Sequence, residues 1–285
     1  MAKTESVQRN LRLAVLIDAD NAPRDSIKGL IDELAIYGVP TIKRIYGDWT
    51  SPNLKGWKES LLENAFTPVQ QYSYTTGKNS TDSAMIIDAM DILYAGRMDG
   101  FVLVSSDSDF TRLATRLREA GMYVIGIGER KTPGPFIVSC DKFIYIEVIR
   151  ERFAKPARVP EAVAAAPKSE PEKKKPFSEK KPVSAAAAAK KPPESNGQKS
   201  KVPEDIIALI ADSVADLADE DGYAALSDLT NLINKKRPDF DPRNFGFGKL
   251  SNMMKYLTRF EVDVRETGDP HAKPMYIRDA QNRLG

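Results

Sequence analysis

Acidic residues lie directly after two of the most apolar segments in the sequence. One apolar run begins at Leu11 and ends in LIDADN (16–21), and a second begins at Phe101 and continues into SSDSDF (105–110). A further acidic residue follows the segment KNST (78–81), where a helical pattern starts. If the apolar runs are strands of one parallel sheet, their carboxyl ends meet at one edge. The carboxylates expected at that edge are Asp18, Asp20, Asp107 and Asp109, with Asp82 from the helix.

Carboxylates that lie close together repel one another and raise one another's pKa unless a cation compensates their charge. Oxygen ligands of this kind suit Mg²⁺ or Mn²⁺. Such ions polarise a phosphate and lower the pKa of a bound water. The acidic residues therefore predict a metal site for phosphoryl chemistry that needs no histidine. Taken one at a time, Asp18, Asp82 and Asp107 could instead cap a helix or a turn.

Composition argues against several other kinds of site. The 285 residues include one Cys and one His, His271, so an internal disulfide or a cysteine zinc site cannot form. A histidine-based catalytic triad is not expected either. The longest apolar runs are far shorter than the roughly 18 residues of a membrane span, and the N-terminus shows no secretory signal. We therefore expect a cytoplasmic protein that does not contact membranes.

The first half of the chain alternates strand-like and helix-like patterns. Strands are predicted at 11–18, 41–46, 68–74, 101–105, 123–128 and 142–148. Helical patterns lie between most of these strands, which is typical of an α/β fold with a doubly wound, mostly parallel sheet. We predict a tail at residues 1–10 and a single domain of this type at residues 11–150.

The middle of the chain has the composition of a flexible linker. Residues 154–201 contain 12 basic and 5 acidic side chains and eight prolines, with few large apolar residues. Such a segment cannot bury enough surface to fold. We therefore predict a flexible linker, rich in Lys, Pro and Ala, at residues 151–201.

Three helical patterns followed by two short strands occupy residues 202–280 and predict a small winged-helix domain. Charge is segregated within it. Residues 204–228 contain eight acidic and no basic side chains, whereas residues 235–259 contain seven basic and two acidic ones. The basic stretch is suited to contact with phosphates.

Three motifs, LIDADN, KNSTDSAMIIDAMD and VLVSSDSDF, closely resemble those of the NYN domain, a PIN-like nuclease fold of the LabA/DUF88 type. The resemblance covers roughly residues 10–149. It implies Mg²⁺- or Mn²⁺-dependent hydrolysis of RNA, and by motif position it gives catalytic and metal-binding roles to Asp18, Asp82, Asp107 and Asp109. Asn21 matches the family's Asn in the first motif. Many relatives have Gly where this chain has Ser106, which could alter how that turn approaches phosphate.

The segment FDPRNFGFGKLSNMMKYL (240–257) resembles an OST-HTH/LOTUS domain, and the helix VPEDIIALIADSV (202–214) agrees with it. This resemblance implies a winged-helix fold that is associated with RNA and, in some relatives, with protein partners. We expect Arg243, Lys249 and Lys255 to contact RNA.

The function hypothesis is a metal-dependent endoribonuclease whose C-terminal domain selects RNA. The linker would hold substrate near the metal site by effective concentration, without contact between the domains. We expect the substrate to meet Asn21, Ser105, Lys78 and Arg112. Aromatic residues at strand ends, Trp49 and Tyr72 among them, could stack on bases of a single strand, although packing against the core is the alternative. DNA as a substrate and a homodimer both stay open.

Two other functions compete with this hypothesis. LIDADN is also similar to the DxD motif of haloacid dehalogenase-like phosphatases, in which Asp18 would be the nucleophile and Asp20 the acid and base. Residues Asn21 and Ala22 fit that family poorly. The stronger rival is a non-catalytic RNA-binding or regulatory adaptor that retains the acidic cleft.

Overall fold

The computed structural model describes residues 11–72, 80–154, 202–265 and 274–281. Within the first two ranges, six strands form one parallel sheet in the order β3-β2-β1-β4-β5-β6. The strands are β1 (Leu11–Asp18), β2 (Gly38–Gly47), β3 (Thr67–Gln70), β4 (Gly100–Val104), β5 (Tyr123–Gly128) and β6 (Lys142–Tyr145). The helices are α1 (Ile27–Leu34), α2 (Trp57–Asn64), α3 (Ser80–Tyr94), α4 (Thr111–Glu119), α5 (Gly134–Ser139) and α6 (Ile146–Ala154). The predicted α/β fold with a doubly wound parallel sheet is confirmed.

The central strands are buried on both faces, which explains why they are almost continuously apolar. Alternate residues of β1 point to opposite sides of the sheet. Leu13, Val15 and Ile17 pack in one hydrophobic cluster with α1 and α2. Ala14 and Leu16 pack in the other, with α3 and α4. The sheet is therefore a fixed platform whose carboxyl edge carries the acidic residues.

The end of the first domain differs from the sequence-based expectation. The predicted strand at 142–148 stops at Tyr145, and α6 begins at Ile146 and continues through Ala154. Helix α5 had no predicted counterpart. Both are short segments in which apolar residues face the core without a clear period, so periodicity alone does not distinguish strand from helix. The rest of the predicted linker lies outside the described residues.

The C-terminal domain contains three helices, α7 (Glu204–Leu217), α8 (Leu226–Lys236) and α9 (Leu250–Tyr256), and a small antiparallel sheet. That sheet consists of β7 (Ala224–Ala225), β9 (Met275–Asp279) and β8 (Phe260–Val264), in that order. Its own hydrophobic core includes Ile210, Leu229 and Met253. The three helices and the β8–β9 pair agree with the predicted winged-helix domain. Among the described residues, no helix has the length and apolar character required to cross a membrane.

The two domains are in direct contact along β6, the edge strand of the large sheet. The backbone N–H of Phe143 donates to the carbonyl of Pro238 at 2.9 Å. The buried ammonium of Lys142 donates to Asn234 Oδ1 at 2.9 Å and to the carbonyl of Phe240 at 2.7 Å. The expectation that the domains act without contact is wrong. Sequence patterns report local structure, and this contact joins segments about a hundred residues apart.

Candidate active site

The acidic residues lie at the carboxyl edge of the sheet, as the order of the strands requires. Asp18 is the last residue of β1, and Ile17 is in register with Val104, the last residue of β4. Asp107 follows β4 by three residues, and Asp109 lies in the 3₁₀ turn that leads into α4. The end of β1 and the turn after β4 therefore lie side by side.

Three carboxylates come together closely enough to share one cation. Among the described residues, Asp82, Asp107 and Asp109 each offer an oxygen, and these three oxygens all lie within 4.8 Å of one another. Asp82 is in the first turn of α3, so the helix supplies one ligand and the loop after β4 supplies two. This group is called the carboxylate cluster below. Asp18 is not part of it, and the metal-binding role that the resemblance implies for Asp18 stays a prediction.

Asp18 is buried and only 1% exposed. Its Oδ1 accepts a hydrogen bond from the backbone N–H of Asp20 at 3.1 Å. Its Oδ2 accepts from Asn21 Nδ2 at 2.7 Å and from Ser105 Oγ at 3.0 Å. Burial raises the pKa of the Asp18 carboxyl, and these three hydrogen bonds oppose the rise. A carboxylate so enclosed is held in one orientation, which suits it poorly to act as a phosphatase nucleophile.

Hydrogen bonds connect Asp18 to the cluster through the loop after β4. Ser105 Oγ donates to Asp18 and accepts from the backbone N–H of Asp107 at 3.1 Å. Asp107 Oδ1 in turn accepts from the backbone N–H of Asp109 at 3.0 Å, which caps the 3₁₀ turn. The capping alternative for Asp107 is therefore realised, and the same side chain still supplies an oxygen to the carboxylate cluster. Ser106 Oγ accepts a hydrogen bond from the backbone N–H of Glu129 at 2.9 Å.

Repulsion among these carboxylates is visible in Asp82. Its pKa is raised from 3.8 to about 6, first by burial and then by the charges of Asp18, Asp107, Asp109 and Asp20. Neighbouring carboxylates disfavour the charged form of Asp82, and a bound cation would compensate that repulsion. The donor set consists of hard carboxylate oxygens at one point, which fits Mg²⁺ or Mn²⁺. Asp82, Asp107 and Asp109 are the residues that would hold such an ion.

The other predicted site residues lie in different surroundings. Asn21 and Ser105 are bonded to Asp18, and a contact of either with substrate stays a prediction. Arg112 is exposed in the first turn of α4, three residues after Asp109. Lys78 lies outside the described residues. In the C-terminal domain, Lys249 and Lys255 are exposed, whereas Arg243 is bonded to Glu33 and Asp241.

One supporting contact was not predicted from the sequence. Asp88, on the face of α3 toward the sheet, accepts hydrogen bonds from the hydroxyl of Tyr46 and from the guanidinium of Arg44, both on β2. Tyr46 is fully buried and is in register with Asp18. These bonds hold α3 against the sheet and so fix the position of Asp82 at the start of the helix. The only sequence signal was an acidic residue six positions after Asp82, which alone does not identify a partner.

Family comparison agrees with this geometry. The model of the NYN domain matches residues 12–147, and the model of the OST-HTH/LOTUS domain matches residues 197–272. The chain carries an NYN domain followed by a C-terminal OST-HTH/LOTUS domain. The NYN domain is a nuclease family, and its PIN-like fold agrees with the parallel sheet described above. Membership of the LabA/DUF88 type stays a prediction.

Several solved structures are similar to parts of the chain. A protein of unknown function from Vibrio parahaemolyticus is 19% identical, with a TM-score of 0.41, and the match covers 51% of this chain and 96% of that protein. An uncharacterised protein from Nitrosomonas europaea is 24% identical, with a TM-score of 0.27 and coverage of 34% and 91%. A fragment of a protein from Chromobacterium violaceum is 28% identical, with a TM-score of 0.24 and coverage of 31% and 94%. No curated protein matches the chain.

Proposed function

We propose that this protein is a metal-dependent endoribonuclease that hydrolyses RNA phosphodiester bonds at the carboxylate cluster of its NYN domain. The observation that carries the proposal is the convergence of Asp82, Asp107 and Asp109 within 4.8 Å at the carboxyl edge of the sheet. A bound Mg²⁺ or Mn²⁺ would polarise the scissile phosphate and activate water for attack. No histidine is required for this chemistry.

The protein's own residues have separate tasks in this mechanism. Asp82, Asp107 and Asp109 hold the ion, and Asp18 fixes the loop after β4 through Ser105. Binding of the ion requires the proton to leave the Asp82 carboxyl, whose pKa is about 6. Arg112, exposed in the first turn of α4, would contact a phosphate of the substrate. We assign no residue as general base.

The OST-HTH/LOTUS domain is proposed to select the RNA. Lys249 and Lys255 are exposed at the two ends of α9 and are available to phosphates. Arg243 contributes to the domain interface, so a direct role for it in RNA binding needs a rearrangement of that interface. We propose a cytoplasmic location from the sequence; a homodimer and protein partners of this domain stay predictions.

The experiment is cleavage of a mixed pool of single-stranded and structured RNAs by the full chain with Mn²⁺, Mg²⁺ or EDTA. Cutting with either metal and none with EDTA supports the proposal. A parallel DNA pool determines the preference for RNA. If RNA binds but is not cut under any metal condition, the proposal is wrong and the protein is an RNA-binding adaptor.

A further inference from the structure

A groove of about 710 Å³ opens beside β3, the other edge strand of the large sheet. Its lining is mostly apolar and aromatic and also includes two lysines. Its lining includes Trp49, Leu54, Lys55, Lys58, Leu62 and Phe66. Its volume lies within the range of about 300 to 1,000 Å³ that is common for small-ligand sites. Leu62 is 74% exposed, so apolar surface of this groove is open to solvent.

Trp49 lies two residues after the end of β2, and hydrogen bonds hold it in a fixed position. Its backbone N–H donates to Gln70 Oε1 at 2.9 Å, and its indole Nε1 donates to the carbonyl of Val69 at 3.0 Å. Gln70 Nε2 in turn donates to Asp48 Oδ1 at 2.9 Å. Because the indole N–H is already bonded to the protein, the part of Trp49 that lines the groove offers its ring rather than a hydrogen bond.

The groove reaches the carboxyl edge of the sheet, where the candidate active site also lies, because its lining includes Gln70, the last residue of β3, and Trp49, two residues after β2. Leu54, which lines the groove, packs over Gly47, and a Cβ at Gly47 would lie 2.6 Å from Leu54 Cδ1 and 3.2 Å from the Cβ of Ala19. Ala19 directly follows Asp18, and its N–H bonds to the carbonyl of Tyr46 at 2.9 Å. The groove and the carboxylate cluster therefore lie at the same edge of the sheet.

The charges around the groove indicate the kind of ligand. Lys55 and Lys58 are exposed cations beside an apolar, aromatic surface. A nucleotide combines a flat base with a charged phosphate, and proteins bind single strands with aromatic rings and basic side chains of this kind. An apolar peptide would also cover Leu62 and Phe66, but it would gain nothing from the two lysines.

We propose that this groove binds one nucleobase of the strand that the carboxylate cluster cuts. Trp49 stacks on the base, and Lys55 and Lys58 contact the flanking phosphates. Since the ligand is the substrate of the cluster, the proposal rests on the proposed function. It adds a site on the NYN domain that holds the strand beside the scissile bond, independent of the OST-HTH/LOTUS domain.

Tryptophan emission tests this assignment directly in the full chain. The chain has two tryptophans, and Trp57 is buried in the core, so a ligand in the groove changes the emission of Trp49. Hexauridylate, titrated in EDTA so that no cutting occurs, is expected to quench the emission. A hexamer of the same length with abasic positions keeps the phosphates and is expected to bind roughly tenfold more weakly, without quenching.

Variants of Trp49 test whether its ring stacks on the base. Trp49→Leu is expected to weaken hexauridylate binding roughly tenfold, whereas Trp49→Phe keeps an aromatic ring and most of the affinity. Tyr94→Leu changes another exposed aromatic residue, at the far end of α3, and should leave the affinity unchanged. If circular dichroism shows that Trp49→Leu does not fold, the affinities of the wild-type protein for the two hexamers test the proposal without the variant.

Several results would overturn the proposal. Equal affinity for the two hexamers with unchanged emission would show that charge alone binds the strand. Emission that responds to an apolar peptide but not to hexauridylate would assign the groove to a protein partner. Cleavage by wild type and Trp49→Leu with equal KM would remove the subsite while leaving the nuclease intact. Quenching by hexauridylate in a protein that cuts no RNA would instead contradict the proposed function and retain the subsite.

Discussion

The guanidinium of Arg243 donates to both carboxylate oxygens of Glu33, at 2.6 and 2.9 Å, and so joins the OST-HTH/LOTUS domain to α1 of the NYN domain. Glu33 is 1% exposed and also accepts from Arg152 at 2.8 Å. Arg243 is further bonded to Asp241. A buried carboxylate with two arginine partners is a specific contact, and it indicates that the two domains have one preferred arrangement.

Glu33→Gln should weaken this arrangement, because it leaves two guanidiniums at the interface without their shared anion. Loss of one partner of a buried ion pair costs about 3 to 5 kcal/mol. We expect a lower melting temperature and faster hydrogen exchange at β6 and at residues 238–245. Asp99→Asn is the matched control, since Asp99 pairs with Arg12 at a largely exposed position and should lower the melting temperature far less. Equal effects of both variants would show that the interface is not formed in solution.

Metal binding should depend on pH through Asp82. The carboxyl pKa is about 6 in the folded protein against 3.8 for the free side chain, so the folded state holds a proton more tightly than the unfolded state. Without metal, stability therefore falls as pH rises from about 4 to about 6. A cation removes this penalty, so the gain in melting temperature with Mn²⁺ should be larger at pH 7.5 than at pH 5. Asp82→Asn should abolish the difference, and Asp91→Asn, an exposed residue on the same helix, should preserve it.

Ser105→Ala should reduce activity without unfolding the protein. Ser105 Oγ connects Asp18 to the backbone of Asp107, so its loss frees the loop that carries two ligands of the cluster. Changes to such supporting residues typically cost about 10- to 100-fold in metal affinity or activity. We expect Mn²⁺ to bind more weakly, with a higher dissociation constant, and kcat to fall. KM for RNA should change little. Ser108→Ala, at an exposed position in the same loop, serves as control, and an equal loss there would argue against the connection.

The OST-HTH/LOTUS domain should bind RNA through charge on α9. Replacing Lys249 and Lys255 with Gln should lower RNA affinity in EDTA and reduce the slope of affinity against salt by about 0.7 to 1 per lysine. Lys236→Gln is the matched control, because Lys236 is paired with Asp216 at 2.6 Å in the same domain. An unchanged salt slope in the double variant would place the RNA contact elsewhere.

Much of the candidate site could be predicted because its residues are encoded locally. Asp18 and Asp107 follow apolar strands, and Asp82 begins a helix, so strand order alone brings them to one edge. The hydrogen bond from Ser105 to Asp18 could not be predicted, since the two residues lie 87 positions apart in the sequence. The contact of Arg243 with Glu33 spans 210 residues and has no periodic pattern. In the sequence, Glu33 gives no signal of a distant partner, and Arg243 predicts a contact with RNA instead.

The rate of RNA cleavage by Asp107→Asn at saturating Mn²⁺, beside wild type and Asp91→Asn, tests the carboxylate cluster most directly. Removing one of three ligands should cost more than the roughly 100-fold typical of supporting residues. We therefore predict a loss of more than about a hundredfold in Asp107→Asn and none in Asp91→Asn. Cleavage by Asp107→Asn at the wild-type rate would contradict the assignment of the cluster as the active site.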